Sequence, residues 1–159
     1  MADLFGSQVL SHEAIRQALL EVGASCERDQ QNKIVTGEGE REVKALFLEV
    51  DGFSARMQKD KKRKRRNQRH EAKMAVIHEG WAPRHKGKKT DYRLVNPTYV
   101  CDLKGAEDFW EQVRGILHAT YRDVDSIPVI INGDGAEWIR QGATSFAKGM
   151  YQYDRFHIA

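Results

Sequence analysis

A chain of 159 residues, 40% hydrophobic and 31% charged, has room for one domain with a core and a short extension, and is too apolar for a disordered chain. No apolar run approaches the roughly 20 residues that cross a bilayer. The N-terminal MADLFGSQVLSHEA has no basic-then-apolar export pattern, so a cytoplasmic protein without a membrane partner is expected. The net charge of +3 is unevenly spread: residues 59–69, KDKKRKRRNQR, hold eight Lys or Arg against Asp60, leaving the rest of the chain acidic.

Ser11 is placed to cap a helix whose apolar positions Ala14, Ile15, Ala18, Leu19 and Val22 share one stripe, ending near Gly23. The polar, glycine-containing stretch CERDQQNKIVTGEGERE then reads as a loop. Residues 1–42 are therefore expected to form a helical extension and linker, and residues 43–159 the main domain. VKALFLEVDG is a short apolar run closed by an acid and a glycine, as expected of a central strand covered on both faces. HEAKMAVIHEGW and TDYRLVNPTYVC follow as strands, the second interrupted by Asn96-Pro97.

Residues 105–122 give the clearest helix, with Ala106, Phe109, Trp110, Val113, Ile116, Leu117 and Tyr121 on one face. SIPVIINGDG reads as a strand, AEWIRQGATSFAKG as a helix stopped at Gly149, and MYQYDRFHIA as a last strand. Trp81, Trp110 and Trp138 read as packing residues. Cys26 and Cys101 have no C-x-x-C spacing and are simplest as reduced thiols.

Three strands with short connections, then helix and strand in alternation, predict an α/β domain with a mixed sheet. An antiparallel meander would have its first strand flanked by parallel partners. This is the connectivity of the ribonuclease-H-like fold up to its fifth strand, and it is compatible with other α/β arrangements.

In that arrangement Asp51, at the end of the first strand, and Asp134, just after the fourth, emerge at one sheet edge. Two adjacent carboxylates repel, and one would be driven to protonate unless a cation lay between them. Magnesium or manganese, both oxygen-seeking, would resolve the conflict and support phosphodiester chemistry. Gly52, Gly133 and Gly135 would let backbone approach metal or phosphate. The plainer reading is that Asp-Gly marks a turn and that Asp134 caps the next helix. Glu49, two residues before Asp51 on the same strand face, is either an outer partner of the site or a salt-bridge residue.

The basic segment, with Lys59, Lys61, Lys62, Arg63, Lys64, Arg65, Arg66 and Arg69, would occupy the first hairpin connection; Lys86, Lys88 and Lys89 occupy the next. Together they suggest a rim that contacts nucleic-acid phosphates, giving affinity and salt dependence without sequence preference.

LFLEVDG, KMAVIHEGW, AEDFWEQV, IINGDGAEWI and YDRFHI resemble, in order and spacing, the ISLre-type insertion-sequence transposases of bacteria, relatives of the Mutator-like transposases. The similarity covers about residues 44–159, and IINGDGAEWI with YDRFH is its most specific part. It implies a DDE-type transposase that cuts and joins DNA with magnesium or manganese and associates with itself in a transposase complex. Asp51 and Asp134 would be the first two acids of the triad. Asp154 and His157 match a D-x-x-H stretch that supports the site. The third acid of such enzymes stands in a later helix, so a catalytic domain incomplete at its C-terminus and inactive alone is expected. A DNA-binding remnant without cutting activity, and a nuclease of the same fold, are the alternatives.

Overall fold

Five strands form one mixed sheet in the computed structural model, which describes residues 11–56, 69–86 and 89–154. The chain divides into two units, the first ending at Gly37 and the second beginning at Glu38.

The first unit is helix α1, His12–Thr36, which Ser11 caps by accepting the Ala14 N–H at 3.1 Å. The helix does not stop at Gly23. A glycine inside a helix costs only about 1 kcal/mol, and the charged residues after it are good helix formers. Glu27, Arg28, Gln30, Gln31 and Lys33 thus extend the helix where their polarity suggested a loop. It closes where the Gly37 N–H donates to the Lys33 carbonyl. The expected apolar stripe is exposed at Ile15, Leu19 and Val22.

The second unit contains, in order, β1 (Leu46–Arg56), β2 (Arg69–His78), β3 (Trp81–Lys86), β4 (Lys89–Leu94), β5 (Thr98–Asp102), α2 (Ala106–Thr120), β6 (Val129–Gly133), α3 (Glu137–Ala143) and β7 (Gly149–Tyr153). The main sheet runs β5-β2-β1-β6-β7. The β1–β2 and β2–β5 pairs are antiparallel, and β6 and β7 add parallel to β1 and to each other. A mixed α/β architecture is thus established. No helix among the described residues is long and apolar enough to cross a membrane. Cys26 and Cys101 are free and exposed.

Strand alternation sets the two faces of the sheet. Leu46, Leu48 and Val50 of β1, Ala75 and Ile77 of β2, Val100 of β5, and Val129 and Ile131 of β6 are buried on one face. Helix α2 covers this face over β2 and β5, and α3 covers it over β6 and β7. Phe109, Val113, Ile116 and Leu117 supply the α2 contribution, and Ile139 the α3 one. Phe109 meets Trp110 at 5.4 Å and Trp138 at 5.6 Å between ring centroids, and Trp110 Nε1–H donates to the Trp138 carbonyl at 2.9 Å. β1 was expected to be covered on both faces. Among the described residues its second face, carrying Phe47, Glu49 and Asp51, is only partly covered.

Helix α3 is also shorter than its pattern suggests. Its end tightens through Thr144 N–H to Gln141 O, Ser145 N–H to Gly142 O and Phe146 N–H to Ala143 O. This turn returns the chain to β6 in time for Gly149 to start β7. Gly149 is required there because a Cβ would collide with the Ala143 carbonyl.

The largest departure from expectation is a second, two-stranded sheet. β3 and β4 pair from Trp81↔Leu94 to Lys86↔Lys89; a plain connection was expected over most of β3, whereas most of β4 falls within the expected strand TDYRLVNPTYVC. Asn96, in the left-handed region at φ 49°, and Pro97 divide the expected single strand between the two sheets. Glu79 fastens the base of this hairpin. It accepts from Arg41 at 2.8 Å, Asn96 at 2.9 Å and the Tyr121 hydroxyl at 3.2 Å.

Burial favours the neutral form of Glu79, but these hydrogen bonds, with the charge of Arg41, outweigh it and hold the carboxyl below its ordinary value. Burial first, then the Glu79 charge, pushes Tyr121 up to about 12. Below the ordinary tyrosine value of 10 the hydroxyl is protonated in folded and unfolded chains alike. As pH rises from there towards 12 the unfolded chain ionises first, so stability falls. Tyr121→Phe is expected to remove this alkaline loss in denaturation curves taken across that window.

Candidate functional site

The candidate site lies on the less covered face of the sheet, at the C-terminal ends of the parallel strands. Glu49 of β1 pairs with Asn132 of β6, and two residues further along each strand stand Asp51 and Asp134. Gly133 of β6 pairs with Tyr153 of β7, and the next residues are Asp134 and Asp154. The Asp154 N–H donates to the Gly133 carbonyl at 2.9 Å, which continues the ladder. Asp51 within β1, Asp134 one residue past β6 and Asp154 one residue past β7 therefore form a row at the same end of three neighbouring strands. All three line a depression of about 210 Å³ together with Glu49, Met74, Val76 and Asn132.

Asp51 is not at a strand end as expected. β1 continues to Arg56 because β2 pairs with it as far as Arg56↔Arg69; what ends near Asp51 is the parallel pairing with β6. Asp51 Oδ1 accepts the Gly52 N–H at 2.7 Å, and Asp134 Oδ1 accepts the Ala136 N–H at 2.9 Å. The second contact is an Asx-type turn leading into α3, whose N-cap is Ala136 rather than Asp134. With these oxygens engaged locally, no three His, Cys, Asp or Glu side chains among the described residues converge on one point where an ion could sit.

Several partners at the site carried no sequence signal. Asn132 Nδ2 donates to Glu49 Oε2 at 2.7 Å, while its Oδ1 is buried with no hydrogen-bond partner among the described residues. Fully buried His78 places Nε2 3.5 Å from Glu49 Oε1 and stacks on Phe47, with centroids 5.5 Å apart. Glu49 thus bonds an amide, sits beside an imidazole and borders the depression. The Tyr151 hydroxyl donates to the Gly133 carbonyl at 3.0 Å. Its pKa is raised by burial first, then by Tyr153 and the nearby Asp134 carboxylate. Each of these partners becomes identifiable only once strand register is known.

The glycines serve the chain's own packing. A Cβ on Gly133 would stand 2.8 Å from Ile139 Cγ2 and 3.1 Å from the Val50 carbonyl oxygen, and one on Gly52 3.1 Å from the Trp138 ring. Gly135, at φ +95°, leaves 2.5 Å between a Cβ position and Tyr153 Cε2. Gly135→Ala is expected to lower stability by about 1–3 kcal/mol in urea denaturation, through strained backbone and a displaced ring.

Of the expected nucleic-acid contacts, Lys59, Lys61, Lys62, Arg63, Lys64, Arg65, Arg66 and Lys88 lie outside the described residues, as does His157. Arg69 begins β2, and Lys86 and Lys89 are backbone partners that close the β3–β4 ladder.

Over residues 2–159 the chain matches the family described as "Uncharacterised protein family (UPF0236)". Its curated relatives include three UPF0236 proteins of Caldanaerobacter subterraneus subsp. tengcongensis, each 25% identical over 150 residues and each covering 94% of this chain. The name of one relative joins eleven designations, that of another joins four, and the third has a single designation. The chain spans 28%, 29% and 28% of the lengths of these relatives, less than a third in each case. This chain belongs to the UPF0236 family.

Proposed function

We propose that this chain supplies the core of a metal-dependent DNA transposase of the DDE type, with a ribonuclease-H-like fold and with Asp51 and Asp134 as cation ligands. The observation that carries the reading is the row of Asp51, Asp134 and Asp154 across three adjacent parallel strands. The sheet order, an antiparallel meander extended by two parallel strands on the β1 side, agrees with that fold. A relative whose name joins eleven designations within one organism suggests a gene present in many copies, as an insertion sequence would be.

The donor set suits magnesium or manganese. Carboxylate oxygens surround the depression, and Asn132 adds a buried carbonyl oxygen with no partner among the described residues. Asp51 and Asp134 would hold the cation, each turning a carboxylate oxygen away from its local N–H. When bound, such a cation supplies Lewis-acid assistance to phosphodiester cleavage. Glu49, hydrogen-bonded to Asn132, keeps a further negative charge at the rim and favours cation over anion. Asp154 would support the site from the β7 side, and His157 belongs to the same D-x-x-H stretch. The basic segment and Lys86, Lys88 and Lys89 would hold DNA phosphates.

In the family that the sequence resembles, the third acid stands in a helix beyond the stretch matched here. Strand transfer and self-association are therefore proposed for a protein of the relatives' length.

A second reading, a DNA-binding scaffold without cutting activity, is favoured by the absence of a converged three-ligand group among the described residues. Calorimetry separates the two. The transposase reading expects manganese to bind this chain with measurable heat; DNA binding without any such heat would favour the scaffold. A nuclease of the same fold would nick plasmid or RNA–DNA hybrid in magnesium without joining ends.

A further inference from the structure

The β3–β4 hairpin has two chemically different faces. Directly paired residues share a face. One face therefore carries Trp81 with Leu94, Pro83 with Tyr92, and His85. The other carries Ala82 with Arg93 and Arg84 with Asp91, and the ladder closes at the Lys86↔Lys89 backbone pair. Trp81 roots the first face, its ring centroid 4.8 Å from those of Phe47 and His78. By alternation the cationic face turns away from that contact. Arg84 and Arg93 are exposed, and neither has an ion-pair partner among the described residues; the Asp91 carboxylate opposite Arg84 accepts its neighbour's N–H, from Tyr92, at 2.8 Å. Residues 81–94 hold Arg84, Lys86, Lys88, Lys89 and Arg93 against Asp91 alone.

We infer that this ribbon is a duplex-DNA contact that lies along the major groove with its cationic face towards the DNA, Arg84 and Arg93 reaching the phosphates on the groove walls. The inference rests on the DNA reading above and adds two arginines and a mode of docking to it. Two six-residue strands make a ribbon about 20 Å long. The major groove of B-DNA, about 12 Å wide, admits a two-stranded ribbon, whereas the deep, narrow major groove of A-form RNA does not. Guanidinium groups without a carboxylate partner match phosphate geometry.

Fluorescence anisotropy of the full chain on a short DNA duplex, across a salt series, tests this. Arg84→Gln with Arg93→Gln is expected to weaken binding roughly tenfold and to lower the salt slope by about 1–2, the loss of one or two phosphate contacts. Manganese binding and the circular dichroism spectrum are expected to stay as in the parent chain. A parent that binds duplex DNA while the double variant keeps its affinity and slope would overturn the hairpin contact alone. A parent that binds no DNA would overturn the DNA reading along with it. Preference for single strands, with Tyr92→Ser more damaging than the arginine pair, would make the hairpin a base-stacking surface and overturn the groove contact. Unchanged DNA affinity with new self-association in the double variant would mean that the cations only keep the exposed strand edges apart.

Discussion

Phe109→Ala is expected to remove about 3–5 kcal/mol of stability, the usual cost of emptying a buried aromatic site. Phe109 is fully buried, and it touches both Trp110 and Trp138 edge-on. The surroundings have little freedom to collapse into the space. Gly142 of α3 already lies against the Trp110 ring so closely that no Cβ fits, and the Trp110 indole N–H is committed to the Trp138 carbonyl. For a unit of this size each kcal/mol corresponds to about 4 °C, so the melting midpoint is expected to fall by about 12–20 °C. A fall of less than about 4 °C would mean that α2 is not the principal cover of the sheet. Because α3 and the Asp134 turn sit beside the same rings, the variant is also expected to weaken cation binding.

Asp51→Asn and Asp134→Asn are each expected to abolish measurable manganese binding while leaving the fold intact. Loss of an outer hydrogen-bond partner alone lowers metal affinity by about 10–100-fold, so loss of a direct carboxylate ligand should cost at least that much. Asparagine retains an oxygen that can accept the Gly52 or Ala136 N–H, so the local turns survive. Removing one of several clustered negative charges also relieves repulsion, and thermal stability is expected to be equal to or slightly above that of the parent. Retained binding in both variants would place the cation elsewhere. Lost binding together with a collapsed melting transition would mean that the aspartates are structural.

Much of the sheet was legible because its apolar runs are short, bounded and in an order that few topologies satisfy. VKALFLEV and PVIIN were recognisable as strands, and their parallel pairing carries Asp51 and Asp134 to one row. Three features were hidden for physical reasons. Helix α1 continues through polar residues whose intrinsic propensity outweighs a glycine, so the composition of a linker concealed a helix. β3 and its pairing with β4 bury little apolar surface, leaving Trp81 and Tyr92 more than half exposed, so residues 82–86 lack the alternation that marks a half-buried strand. At the site, Asn132, His78 and Tyr151 matter through cross-strand neighbours far away in sequence. The aspartates could be chosen by residue type, but the amide and imidazole beside Glu49 could not.

Manganese-induced line broadening in the amide spectrum of the isotopically labelled chain tests most directly whether the aspartate row is a cation site. Substoichiometric manganese is expected to erase selectively the signals around residues 49–52, 132–136 and 153–154, and to spare the far end of α2. Uniform broadening, broadening centred on another part of the chain, or an unaltered spectrum would contradict it.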